Sequence, residues 1–215
     1  MSVKIKICDV RTLDIVECCR SAGADYIGIH QIKAPLSEEK RKLLENIRNV
    51  SGQMEIVLVT QEDNIDRLIE LCIAFEWDYI QLHFSVTDNY VDKLKSELIK
   101  KCKKMPGIIV VIETKQLGNV NVSKLYQVAD YILFDSSMRG GTGITSSEDA
   151  LYKVAEFSES IDYFVAGGLT RENVINTISI SKPYAVDVQS GVEYAKHQKD
   201  PQKIIDFINV VKKHS

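Results

Sequence analysis

The sequence predicts an α/β fold of the (β/α)8 TIM-barrel class, and three observations predict it. Short apolar or alternating runs recur along the whole chain, and each is followed by residues with helical spacing. Eight such strand–helix units can be laid end to end with no low-complexity segment and no evident linker. Repeated βα units imply a parallel sheet with right-handed crossovers, and eight of them close it into a barrel. At 215 residues and 45% hydrophobic content, the chain suits one compact barrel domain over residues 1–215. A doubly wound open sheet is the alternative fold.

The elements follow in order. Residues 3–8 (VKIKIC) alternate with period two, and residues 12–22 have helical spacing that ends at Gly23. The second strand is 25–30, followed after Pro35 by an amphipathic helix over 37–50. Residues 55–60 and 63–75 form the third unit, and 78–83 and 88–102 the fourth. The fifth strand, 107–114, is almost wholly apolar, as expected for a strand covered on both faces. A short helix lies near 122–128, then a strand over 131–134 that ends at Asp135. Its helix, 146–157, has Ser146 and Asp149 spaced as a capping box. The seventh strand, 163–166, stops at Gly167-Gly168, and a helix is expected from Thr170 as N-cap. The eighth, 184–188, ends in Gln189-Ser190-Gly191, and Asp200-Pro201 opens the last helix.

Composition excludes several classes of function. A net charge of −3 and a pI near 5.9 provide no basic field for nucleic acid. The run 100–104 (KKCKK) is the solvated end of a helix, where cations are favourable. No apolar run approaches the ~20 residues that span a bilayer, and MSVKIKICDV enters strand-like sequence directly rather than reading as a signal peptide. The five cysteines lack any C-x-x-C spacing, which points to free thiols and a cytoplasmic location.

Barrel enzymes build their sites from the C-terminal ends of strands. Those positions here are Cys8, His30, Thr60, His83, Thr114, Asp135, Gly167 and residues 188–191. Glycine-bearing turns follow three successive strands, at 140–143, 167–168 and 190–191. One such turn serves tight chain reversal as well as it serves an anion; three together point to a phosphate clamp made of backbone N–H groups. A thiol near positive charge can act as base or nucleophile, and a buried carboxyl can act as a general acid. Cys8 and Asp135 therefore suit isomerisation of a small phosphorylated sugar, with no cofactor or metal. Taken singly, Cys8 can be a core residue and Asp135 a cap for its glycine turn. Asp187, inside an apolar strand, either binds substrate or pairs with Lys4 or Lys6 across the closing seam. His83 either lines the pocket floor or is a hydrogen-bonded core histidine.

With these residues in place, the chain resembles the phosphoribosylanthranilate isomerase family of tryptophan biosynthesis. The resemblance is carried by Lys6-Ile7-Cys8, residues 22–28 (AGADYIG), Gln81-Leu82-His83, Phe134-Asp135-Ser136, residues 140–143 (GGTG), residues 166–169 (AGGL) with Glu172-Asn173-Val174, and residues 187–193 (DVQSGVE). It implies a barrel of the ribulose-phosphate-binding type and an Amadori rearrangement of N-(5-phosphoribosyl)anthranilate to its 1-amino-1-deoxyribulose 5-phosphate product. Asp135 would protonate the ring oxygen and Cys8 would take the C2 proton. Gly141, Thr142, Gly143, Gly167, Gly168, Ser190 and Gly191 would hold the phosphate, and Asp187 would orient the anthranilate amine. Family members occur as monomers and homodimers.

Four departures surround the aglycone. The family's Cys-Gly is Cys8-Asp9, the Gly after the strand-four His is Phe84, and the aromatic after Gly-Thr-Gly is missing. The loop His30–Leu36 has no arginine, leaving Lys33 or His30 to meet a carboxylate without its bidentate geometry. A paralogous sugar-phosphate isomerase or epimerase with another aglycone, or a non-catalytic phosphometabolite-binding barrel, are the alternative readings.

Overall fold

The computed structural model describes residues 2–30, 33–137 and 145–214. Eight parallel strands pair in the order of the sequence and close into a barrel rather than opening into a doubly wound sheet. They are β1 (Lys4–Ile7), β2 (Tyr26–Ile29), β3 (Glu55–Thr60), β4 (Tyr79–Leu82), β5 (Gly107–Glu113), β6 (Tyr131–Asp135), β7 (Tyr163–Val165) and β8 (Ala185–Val188). Helices α1 (Leu13–Ala22), α2 (Glu38–Ser51), α3 (Ile65–Ala74), α4 (Asp88–Lys101), α5 (Val122–Val128), α6 (Glu148–Ala155), α7 (Val174–Ser181) and α8 (Pro201–His214) cover the outside. A two-stranded ribbon, β9 (Glu193–Ala195) with β10 (Gln198–Lys199), is inserted between β8 and α8.

The period of two along each strand divides the core in two. Ile5, Ile7, Ile27, Ile56, Leu58, Ile80, Leu82, Val186 and Val188 face outward and pack with the apolar stripes of the helices. Val57, Val59, Ile109, Val111, Leu133, Phe164 and Ala185 fill the barrel interior, with Cys8 and Ala166 above them. Fully burying a side chain of this size is worth about 1.5–3 kcal/mol, and both faces of each strand gain it. What marks the inward face is the polar set at its upper end, Lys6, Gln81, Asp135 and Asp187.

The N-terminal end of the barrel is sealed by a repeated tripeptide. Asp-Tyr-Ile occurs at 25–27, 78–80 and 130–132, at the start of β2, β4 and β6. Each aspartate accepts a hydrogen bond from the backbone of the preceding odd strand: Asp25 from Ile5 N, Asp78 from Ile56 N and Asp130 from Ile108 N. Each tyrosine turns inward. Tyr26, Tyr79, Tyr131 and Tyr184 form a ring, with Tyr131 and Tyr184 stacked at 5.1 Å and the hydroxyls of Tyr26 and Tyr184 3.2 Å apart. Phe164 packs edge-on to Tyr26 and Tyr131 at 5.3 Å. This floor leaves the opposite, C-terminal end as the place for a polar site.

Two expected helix starts are corrected. Ser147, not Ser146, caps α6: it is the extended residue, φ −65° and ψ 156°, immediately before the helix, and its hydroxyl accepts from Ala150 N. Thr170 opens a turn rather than α7; the side chain of Asn173 accepts from Thr170 N and the helix begins at Val174. Asp200 caps α8 as expected, accepting from Gln202 N and Lys203 N.

Candidate active site

At the C-terminal mouth, eleven residues line one small cleft: Cys8, His30, Gln81, His83, Asp135, Ala166, Gly167, Gly168, Asp187, Gln189 and Ser190. They come from the ends of β1, β2, β4, β6, β7 and β8, and the inward period of two puts them there. Lys6 and Cys8, Gln81 and His83, Leu133 and Asp135, and Asp187 and Gln189 are each two residues apart. Of the expected site residues, the structure brings together Cys8, His83, Asp135, Asp187, Gly167, Gly168 and Ser190. Lys33 is exposed and is not among the described residues of the cleft. Gly141, Thr142 and Gly143 lie outside the described residues.

Lys6 lies beneath the cleft, wholly buried, at the register position facing Asp187 across the β1–β8 seam. Its ammonium donates to Asp187 Oδ2 at 2.8 Å and to Cys8 Sγ at 3.3 Å. Burial works against its charge, but Asp187 and Cys8 outweigh that and raise its pKa. Asp187 Oδ1 is buried without a partner among the described residues, as is Gln81 Oε1. Two unfilled acceptors at one mouth are suited to donors on a ligand.

Cys8 Sγ also lies 3.0 Å from His30 Nε2. Burial, with Asp187 adding to it, pushes the thiol up to about 12, against the pull of Lys6 and Lys199. Burial likewise holds His30 down to about 4, although Asp9 opposes this. Asp135 accepts from Ser137 N at 3.0 Å and from the Ser136 hydroxyl at 3.4 Å. Burial, helped by the charge of Asp187, raises it to about 6. The cleft thus holds a proton donor, a buried thiol with an imidazole on its sulfur, and an anion paired with a lysine.

The glycine turns are required by close approach. Gly167 has φ 97°, and a Cβ there would meet Ser136 N at 2.7 Å. At Gly191 a Cβ would lie 1.9 Å from the Leu169 carbonyl oxygen, so the turns after β7 and β8 touch backbone to backbone. Asp9, beside Cys8, has partners of its own. It is held by Arg11, at 2.9 and 3.2 Å, and by His197 Nδ1 at 2.7 Å. Burial works to raise Asp9, and these hydrogen bonds outweigh it to leave the carboxyl below its ordinary value. Asp9, Glu193 and His197 bring potential ligand atoms within 4.8 Å of one another. Arg11 and Lys199 already occupy the two carboxylates, which makes the group an ion-pair cluster rather than a vacant metal site.

Gln189 falls within the strand-end segment 188–191 that the sequence singled out; the residues that sequence reasoning missed as site residues are Gln81, and Lys6 as a partner of the thiol. The signal was available: each is polar, inward by the period of two, and within two residues of a strand end.

Comparison with known proteins bears on the fold and the family. A family model described as N-(5'phosphoribosyl)anthranilate (PRA) isomerase matches residues 5–210. The N-(5'-phosphoribosyl)anthranilate isomerase of Leptospira interrogans (serovar copenhageni) is 32% identical over 220 residues, covering 99% of this chain and 96% of that one. The phosphoribosyl anthranilate isomerase structure from Thermococcus kodakaraensis superposes with a TM-score of 0.74 at 26% identity, covering 98% and 99% of the two chains. A phosphoribosyl anthranilate isomerase in complex with reduced 1-(o-carboxyphenylamino)-1-deoxyribulose 5-phosphate superposes at 0.71 with 22% identity, over 98% and 99%. This chain belongs to the N-(5'-phosphoribosyl)anthranilate isomerase family.

Proposed function

We propose that the chain is a phosphoribosylanthranilate isomerase of tryptophan biosynthesis, a cofactor-independent aldose–ketose isomerase. The observation that carries the reading is the convergence of Cys8, Asp135, Asp187 and the Gly167, Gly168 and Ser190 turns on one cleft. Asp135, held near 6, keeps enough of its proton near neutral pH to give it to the furanose oxygen as the ring opens. The resulting Schiff base carries positive charge on nitrogen, beside the open oxygen of Asp187. Cys8 Sγ takes the C2 proton, and the enolamine collapses to the 1-amino ketose. Gly167, Gly168, Ser190 and Gly191, with Gly141, Thr142 and Gly143, bind the phosphate through backbone N–H groups. Gln81 and His83 floor the sugar subsite. No described helix is long and apolar enough to cross a membrane. The five free thiols fit a reducing cytoplasm, where the protein works as a monomer or homodimer.

A second reading is favoured by one observation: residues 30–37 contain no arginine to pair with an anthranilate carboxylate. On that reading the chemistry is kept and the aglycone differs.

The test is decay of anthranilate fluorescence with substrate generated in situ, on the wild type, Cys8→Ala and Asp135→Asn. Turnover abolished by both substitutions is the expected result. A folded wild type that binds a ribulose-phosphate-like ligand without turning the substrate over would sink the anthranilate assignment.

A further inference from the structure

We propose that His30 is the proton-accepting partner of Cys8, so that the two side chains abstract the C2 proton as a dyad; this rests on the isomerase reading above. The geometry is specific. His30 follows the last residue of β2 and continues its inner face, two positions beyond Gly28 and four beyond Tyr26. Tyr26 forms the floor, Gly28 leaves a gap, and His30 reaches the sulfur. A Cβ at Gly28 would lie 2.9 Å from Cys8 Sγ and 3.1 Å from Lys6 Nζ, so the thiol occupies the space that the glycine vacates. Lys6 already donates to the sulfur at 3.3 Å, so the S–H proton has to point elsewhere. Among the described residues, His30 Nε2 at 3.0 Å is the acceptor it meets.

The protonation states call for such a partner. A thiol pushed up to about 12 holds its proton at neutral pH and is no base by itself. An imidazole held near 4 is neutral and keeps a ring nitrogen open to accept. The charged and titratable groups around His30 are Lys6 and Asp9 from β1 and its turn, His83 after β4, and Lys199 of β10.

The step balances. As the C2–H bond breaks, its proton goes to Sγ and the S–H proton goes to His30 Nε2. The C–H electron pair becomes the C1=C2 bond, and the iminium π pair moves onto nitrogen. One positive charge leaves the substrate and one appears on the imidazole. When the enolamine becomes the ketone, C1 gains a proton and the C2 hydroxyl loses one. The proton from Asp135 stays on the C4 hydroxyl of the product; the imidazolium releases one proton to solvent and Asp135 takes one from solvent, which restores both groups.

The experiment compares kcat, KM and the pH profile of the wild type and His30→Gln, with Cys8→Ser and Cys8→Ala as a second pair. The expected loss in His30→Gln is about 100-fold in kcat, within the range for a positioned proton acceptor, with KM changed less than about threefold. In the wild type kcat rises as His30 loses its proton near pH 4, and this limb vanishes in the variant; a merely structural role would leave it in place. Cys8→Ser is expected to keep turnover above Cys8→Ala, since His30 activates the hydroxyl as well. An active wild type with His30→Gln within twofold and an unchanged profile overturns the dyad alone. Should His30→Gln not fold, Cys8→Ser no better than Cys8→Ala overturns it. An inactive wild type overturns the isomerase reading, and the dyad with it.

Discussion

Replacing Lys6 by Met tests the electrostatic centre of the barrel. Lys6 is 0% exposed and Asp187 6%, and their charges sit 2.8 Å apart. At an effective dielectric of about 20, unit charges at that distance attract by about 6 kcal/mol. Removing two ions from water costs several kcal/mol each, so the intact pair is close to neutral for stability. Deleting one partner is different. Asp187 Oδ1 already has no partner among the described residues, and Lys6→Met removes the one on Oδ2. A buried carboxylate stripped in this way costs about 3–5 kcal/mol. For a domain of this length, that lowers Tm by roughly 6–20 °C. The double substitution Lys6→Met with Asp187→Leu removes the orphaned charge and is expected to regain most of the loss. Thermal and urea denaturation followed by circular dichroism measure the wild type, Lys6→Met, Asp187→Leu and the double variant. A loss below about 1 kcal/mol for Lys6→Met, or a double variant that sums the two single losses, would refute the reasoning.

Three further positions probe the cleft and the turns beside it. Asp135 titrates near 6 in the fold against an ordinary 3.8, so the folded state favours its protonated form. The stability this contributes is full below about pH 3.8 and lost as pH rises through about 6, worth about 3 kcal/mol at 1.36 kcal/mol per pH unit. Asp135→Asn is therefore expected to raise the urea midpoint at pH 8 and leave it unchanged at pH 3.5, while wild-type kcat declines above about pH 6. Gly191→Ala forces the turns after β7 and β8 apart, because its Cβ would meet the Leu169 carbonyl oxygen at 1.9 Å. Stability should fall by about 1–3 kcal/mol, and KM for a phosphorylated substrate should rise more than kcat falls; equal KM values would exclude this turn from phosphate binding. Asp9 has φ 61°, a conformation in which glycine is at ease and alanine is not. Asp9→Ala should thus be less stable than Asp9→Gly by about 1 kcal/mol, and equal denaturation midpoints would contradict it.

The fold was legible because its main signal is one-dimensional. Alternation in residues 3–8 and the unbroken apolar run in 107–114 each specify which faces are covered, and eight repeats leave few topologies open. Helix starts were less legible where two serines or a threonine compete as caps, since neighbouring hydroxyls look alike until the backbone chooses, as at Ser146 and Ser147. The Asp-Tyr-Ile repeat was on the page but invisible to a search for period two, because its spacing is that of two whole βα units. In the cleft, Cys8, Asp135 and Asp187 stood out as reactive types at strand ends. Gln81 did not, being an uncharged amide beside a histidine, nor did Lys6 as a partner of the thiol, because a strand lysine usually reaches solvent. What decides otherwise is the register that sets Lys6 opposite Asp187, and register across a closure is a property of the barrel, not of either strand.

That closure explains why the polar groups are where they are. Strands β1 and β8 are the most distant in sequence, and each carries part of the chemistry: the thiol on one side, the anion and a glycine turn on the other. Side chains join them at two levels: Lys6 meets Asp187 within the barrel and Asp9 meets His197 above it. Lys199 in turn fastens the ribbon to the end of β8, reaching the Gln189 carbonyl at 2.8 Å and Glu193 at 2.9 Å. Asp9 and His197 both adopt left-handed backbone, φ 61° and 64°, conformations that disfavour side chains by roughly 1–2 kcal/mol. Their mutual charge-assisted hydrogen bond, with Arg11 behind it, supplies the compensation. The turn that holds Cys8 is therefore tied to the ribbon after β8, and the alignment of thiol, anion and phosphate turn depends on the seam staying shut.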